Sequence, residues 1–132
     1  MTASGSRNTL GRHRQSDVID EQHLARMTLG DLRLEREVLD LFLKQAALML
    51  DRIATGSPTV AAAAAHTLKG SACGIGIWRL ARAGESFERA VADANEVQIN
   101  EALSELRAAS LEASAAIAVR LGRSFIDRTY DR

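Results

Sequence analysis

Proline occurs once in these 132 residues, cysteine once, and aromatic side chains make up only 4% of the chain. Val, Ile, Thr and Tyr are sparse, and no Asn-Gly or Asp-Gly pair separates alternating apolar runs, so the usual signals of strands and hairpins are missing. The single cysteine, Cys73, excludes an intramolecular disulfide. Neither sign of charge prevails: Lys plus Arg total 17, Asp plus Glu total 17, and the formal net charge is zero. There is no overall basic field to hold nucleic acid or an anionic membrane, and recognition of any partner must be local. The longest uncharged stretch, around residues 54–67, is mostly alanine and small polar residues and is too short to span a bilayer. No basic segment followed by an apolar stretch and a cleavage site opens the chain, so the expected location is the cytoplasm.

What is present is a chain that is 46% hydrophobic and 26% charged, the balance of a globular domain. Its length suits one domain that buries roughly two-thirds of the surface its unfolded chain exposes. The alanine content and the single proline favour helices. Residues 1–17 are rich in Ser, Gly, Asn and Arg, with Leu10 the one sizeable apolar side chain after Met1, and read as a flexible tail whose Arg7, Arg12 and Arg14 are solvated. The domain is expected over 18–121, with a second tail over 122–132.

Within that domain the spacing predicts a short helix capped by Asp20, using Leu24 and Met27 and ended at Gly30. Asp31 caps the next one. Two neighbouring apolar rows follow, Leu34, Val38, Leu41, Leu48 and Leu39, Phe42, Ala46, Met49, Ile53, each advancing by threes and fours, so a wide core stripe is expected. Gly56 ends that helix, and Ser57-Pro58 supplies a cap followed by proline at the first helical position. The third helix runs to about Cys73, where Gly74 and Gly76 make a turn. Ile77 opens a fourth with a seam of Ile77, Leu80, Gly84, Phe87, Val91 and Ala94. After Asn95, the positions Ile99, Leu103, Leu106, Ala113, Ile117 and Leu121 define the last helix. Short connections between long amphipathic helices imply antiparallel neighbours: an all-α, up-and-down four-helix bundle with a short N-terminal cover helix.

The segment Ala61 to Ile77, AAAAAHTLKGSACGIGI, carries the chemistry. On a helix turning 100° per residue, Ala61, Ala64, Leu68, Ser71 and Ile75 cluster within about 40° of one direction, the buried face. His66 points the opposite way. Lys69 lies about 60° from it and one turn on, Gly70 about 40° to the other side, Cys73 about 20° away two turns on, and Ala62 and Ala63 one turn before. A lone histidine on a helix is more often structural, but other residues already supply this apolar face. A merely solvated histidine would not need so low a surround. Gly70 in mid-helix costs about 1 kcal/mol relative to alanine, which close approach of another protein would explain. An exposed imidazole with an ammonium one turn away suits a covalently held phosphoryl group, its oxygens neutralised by Lys69.

His66-Thr67-Leu68-Lys69-Gly70-Ser71-Ala72, followed by Gly76, resembles the phosphoacceptor motif of histidine-containing phosphotransfer (HPt) domains. The pattern is specific over the central helix hairpin, and Ile19-Asp20 and the Leu41-Phe42 region are similar to the family's earlier helices more loosely. The tails are not covered. The resemblance implies that His66 accepts a phosphoryl group, that Lys69 assists it electrostatically, and that Gly70, with Ala62, Ala63 and Cys73 around it, lets a response-regulator receiver domain dock. Ser71 stands where the family often has a small inward-packing residue.

The family also tends to place a polar residue beside the histidine, twenty-two positions on, which here is Glu88. If the hairpin turns near Ile75, His66 and Glu88 differ in height by about one helical turn. Glu88 is then a candidate to accept from imidazole Nδ1–H, fixing the tautomer in which Nε2 is the nucleophile. The alternative is a surface glutamate paired with Arg82 or Arg89. Cys73 reads as a small apolar filler, with redox control of docking the speculative alternative. Trp78 either packs on the N-terminal helix, the preferred reading, or forms part of a docking rim. No metal site is expected: His13, His23, His66 and Cys73 offer no compact ligand pair.

The reading is therefore a phosphocarrier without ATP-dependent kinase activity, passing a phosphoryl group on His66 between receiver aspartates in a two-component phosphorelay. It holds no cofactor of its own; Mg²⁺ is expected in the partner receiver. Partners are receiver domains and a histidine kinase, hybrid kinases included, with no nucleic acid and no membrane, and the expected state is a monomer. Two alternatives stand beside it. One is an interaction-only bundle that binds a receiver or kinase without phosphorylation, and the other an excised phosphoacceptor domain of a chemotaxis-type kinase. A hydrolase using His66 as general base has no evident pocket on so convex a face.

Overall fold

Among the described residues, four of the five helices begin where a short polar side chain satisfies a backbone donor that has no partner inside the helix. In the computed structural model, which describes residues 18–122, Asp20 accepts from the His23 N–H at 3.1 Å and opens α1, Glu21–Met27. Asp31 accepts from the N–H groups of Arg33 and Leu34 and opens α2, Leu32–Thr55. Ser57 caps α3, Pro58–Ile75, with Pro58 in its first turn, and Asn95 caps α5, Glu96–Arg120. Only α4, Trp78–Ala92, lacks a side-chain cap, because Ile77 precedes it and is buried. The tail readings at 1–17 and 123–132 lie outside the described residues.

The turn between α3 and α4 is shorter than the two glycines suggest. Gly74 stays in the last turn of α3, and Gly76 alone makes the reversal at φ 82°. The Ile77 N–H reaches back to the Ala72 carbonyl at 2.9 Å, closing the carbonyl end of α3. A Cβ on Gly76 would stand 2.9 Å from that of Asp20, so both the backbone conformation and the close approach of α1 exclude a side chain there. The Asp20 N–H donates to the Gly76 carbonyl at 2.9 Å, and Trp78 Nε1–H donates to Asp20 Oδ2 at 2.9 Å. The His23 ring meets Trp78 edge to face with centroids 5.0 Å apart. Trp78 thus packs on the N-terminal helix.

The long helices pack in chain order, α2 on α3, α3 on α4 and α4 on α5, with α1 against α3 and a narrower contact between α2 and α5. Short connections make successive helices antiparallel. Arg120 at the end of α5 holds Glu35 on α2 at 2.8 Å and also pairs with Glu21 on α1, and Arg36 donates to the Leu121 carbonyl at 2.9 Å. The Glu35 hydrogen bond, ahead of any other cause, holds the Arg120 guanidinium above its ordinary pKa, against the effect of burial. Among the described residues the regular structure is all α-helix, with no strand.

The core draws on Leu24, Leu39, Leu68, Ile77, Leu80, Leu106 and Ile117, all but completely buried. Only one of the two apolar rows expected on α2 belongs to it. Leu39, Phe42, Ala46, Met49 and Ile53 are buried, whereas Leu41 and Leu48 are 57% and 48% exposed and Leu34 and Val38 lie at the margin. The helices packed on α2 cover one row, and the second stays open to solvent. Met27 is likewise exposed: α1 has seven residues and buries Leu24, and the buried place after it goes to Thr28, whose hydroxyl donates to the Leu24 carbonyl. Ala94, expected to end the α4 seam, stands beyond the helix, exposed at φ 53°. Ser71 is half-buried rather than fully inward.

Candidate functional site

His66 lies midway along α3, on the side away from Leu68, and its side chain is 67% exposed. The helix brings no long side chain over it. Ala63 and Gly70 are exposed and Ala62 half-buried, and a Cβ built on Gly70 meets nothing within 4 Å. Thr67 turns its hydroxyl back to the Ala63 carbonyl. Cys73, two turns on, is an exposed free thiol and not the apolar filler expected, because it stands on the His66 side of α3 and no described helix covers it. Of the predicted docking residues, Ala63, Gly70 and Cys73 therefore open to solvent around the imidazole and Ala62 only partly.

The neighbouring helix supplies the acid. Glu88 Oε2 lies 2.9 Å from His66 Nδ1, and Glu88 Oε1 lies 3.3 Å from Lys69 Nζ. One carboxylate thus spans the imidazole and the ammonium. A carboxylate cannot donate, so in the neutral ring this contact requires the proton on Nδ1 and leaves the lone pair on Nε2, at the opposite edge. The Glu88 and Lys69 side chains are only 26% and 28% exposed, which restricts their motion while His66 stays open. Arg89 pairs with Glu85 at 3.6 Å and not with Glu88.

Among the described residues no three His, Cys, Asp or Glu side chains converge as metal ligands. A shallow cleft between α4 and α5, lined by residues such as Ser86, Gln98 and Glu101, does not include His66. No described helix is long and apolar enough to cross a membrane. What the site presents is an oriented imidazole on a low convex face, with a cation one turn away.

The family model described as "Hpt domain" matches residues 37–117, more than half of the chain and all of the site. The chain belongs to the Hpt domain family. This Hpt domain also superposes on the structure of a rice protein, described provisionally as a histidine-containing phosphotransfer protein. The TM-score is 0.72 at 22% identity, over 92% of this chain and 95% of that one. At that identity the likeness shows a shared fold. No curated protein matches the chain.

Two features of this Hpt domain escaped the sequence. The exposure of Leu41 and Leu48 was hidden because an apolar row looks the same whether or not a neighbour covers it. Gly84 reads as one more seam position, yet a Cβ there would stand 3.1 Å from the Ala65 carbonyl oxygen and 3.3 Å from Lys69 Cβ. A glycine at a seam position was the available signal.

Proposed function

We propose that this Hpt domain is a phosphocarrier: His66 takes a phosphoryl group from the aspartyl phosphate of a receiver domain and gives it up to the aspartate of a second receiver. The observation that carries the reading is the Nδ1–Glu88 contact at 2.9 Å on an otherwise open imidazole. In the forward step the Nε2 lone pair forms the N–P bond as the aspartyl O–P bond breaks, and the electron pair of that bond leaves on the receiver's carboxylate. The proton on Nδ1 stays where it is, held by Glu88, and the positive charge gained by the ring lies against that carboxylate. Lys69 swings its ammonium from Glu88 to the phosphoryl oxygens. The receiver, not this chain, supplies Mg²⁺ for the charge on the transferring group.

Docking would use the face that Gly70 leaves low, with Ala62, Ala63 and Cys73 near it and the exposed Leu41 and Leu48 of adjoining α2 adding apolar area. A relay protein must release one receiver to meet the next, so the contact is expected to be small and transient. The chain has no ATP-dependent step of its own and works as a cytoplasmic monomer. Its architecture is a four-helix bundle, α2 to α5, with α1 as its cover, and a histidine kinase stands upstream of the first receiver.

Transfer of labelled phosphoryl from a panel of phosphorylated receiver domains tests the reading, with His66→Gln alongside. Label on the wild type and none on the variant is the expected result. Binding without label, from every receiver, would leave an interaction-only bundle.

A further inference from the structure

We propose that Gly84 is the positioning residue of this site: its missing side chain sets how closely α4 approaches α3, and that distance lets Glu88 span His66 and Lys69. The inference rests on the reading of Glu88 as the group that orients His66.

The two glycines nearest the site do opposite things. Around Gly70 a Cβ would meet nothing within 4 Å, so no neighbour within the domain requires a glycine there. Around Gly84, buried in the middle of α4, a Cβ would stand 3.1 Å from the Ala65 carbonyl oxygen, 3.3 Å from Lys69 Cβ and 3.7 Å from Lys69 Cα. These neighbours cannot simply swing aside. The Ala65 carbonyl belongs to the backbone of α3, where it faces the N–H of Lys69, and Lys69 Cβ and Cα are fixed to the same helical turn. A side chain at 84 therefore has to push the helices apart or rotate one against the other.

The contact also lies at the right height. Ala65 immediately precedes His66, Lys69 is the cation of the site, and Glu88 stands four residues beyond Gly84, one turn up the same face of α4. Gly84 thus touches α3 on the turn that carries both groups Glu88 must reach. A few tenths of an ångström added there pass directly to the carboxylate, whose contacts of 2.9 Å and 3.3 Å leave little reserve before the hydrogen bond lengthens. Because Gly84 also leaves room beside Lys69 Cβ, it bears on the course of the lysine stem toward Glu88.

The test compares Gly84→Ala with Glu88→Gln and Gly70→Ala. The readout is the tautomer of the neutral His66 ring, from imidazole ¹⁵N shifts in mildly alkaline buffer, taken with thermal unfolding and the rate of phosphoryl uptake. A glycine that is only a weak point in a helix would leave the ring alone when replaced by alanine and would raise the melting temperature. The expected result is a folded Gly84→Ala protein whose ring shifts move from the Nδ1–H form toward the mixture seen in Glu88→Gln, with uptake slowed several-fold. Combining Gly84→Ala with Glu88→Gln should then add little to the change that Glu88→Gln makes alone. Gly70→Ala should keep the wild-type ring.

A wild-type tautomer in Gly84→Ala would overturn the proposal. So would a Gly84→Ala chain that does not fold, since Gly84 would then be needed to build the bundle rather than to set the reach of Glu88. If the wild type takes no phosphoryl group from any receiver while the ring still responds to both substitutions, the positioning role stands and the carrier reading falls.

Discussion

His66 Nδ1 and Glu88 Oε2 stand 2.9 Å apart although twenty-two residues separate them in the chain, and the second oxygen of the same carboxylate holds Lys69 at 3.3 Å. Replacing Glu88 with alanine leaves Nδ1 and Nζ without their shared acceptor while barely touching the core. Phosphoryl uptake by Glu88→Ala should fall about tenfold, a rise of ~1.4 kcal/mol in the barrier, with melting nearly unchanged. Uptake at the wild-type rate would reject the orienting role.

Gly70→Ala should separate stability from docking. With no atom within 4 Å of the added methyl group, the substitution gains helix propensity of roughly 0.5–1 kcal/mol. The same methyl group stands in the approach of a receiver to His66, so uptake should slow while the melting temperature rises. Calorimetry and stopped-flow transfer on one preparation would show both, and an unchanged transfer rate would remove Gly70 from the docking face.

Neighbouring leucines on α2 should behave differently. Leu39 is fully buried, and Leu39→Ala is expected to lower stability by about 2–5 kcal/mol through lost burial and the cavity left behind. Leu41, two positions on and 57% exposed, should change stability by no more than about 0.5 kcal/mol as Leu41→Ala while weakening receiver binding. Urea melts of the two variants give the contrast, and a large loss in Leu41→Ala would mean that the row is covered after all.

Acid should loosen α1 through Asp20. The Trp78 indole N–H first, and the His23 backbone N–H second, hold its carboxyl below its ordinary value of 3.8. A carboxylate depressed by folding contributes stability that is fully present above the ordinary value and lost as pH falls through the depressed one. Trp78 is the single tryptophan, so indole emission reports the surroundings of this contact, and the Asp20 variant isolates the carboxylate's share. The emission should change as pH falls below about 4, and Asp20→Asn should remove that transition. An identical acid profile in both proteins would assign it to another carboxylate.

How much of this was legible beforehand follows from which interactions are local. Asp20, Asp31, Ser57 and Asn95 open helices because each cap involves only the next two or three residues, so its chemistry is written in adjacent letters. His66, Lys69 and Gly70 share one face because a helix turns by a constant angle, and that also comes from spacing alone. Glu88 is singled out by the resemblance to the HPt family, and helix arithmetic with a turn position added only brings it near the height of His66.

What remained for the tertiary structure was everything set by the distance between helices. Periodicity says that Leu41 and Leu39 are both apolar, but which of them is covered depends on where the neighbouring helices lie. It says that Gly84 faces a neighbour, but not that the neighbour is the backbone of the residue preceding His66. The sequence by itself determined the helices, their caps and the face on which His66 stands, because those are properties of one helix at a time. The packing of α4 on α3 decided that a single carboxylate serves both His66 and Lys69, because closeness between helices is set by side-chain volumes on both, and no spacing within either one encodes it.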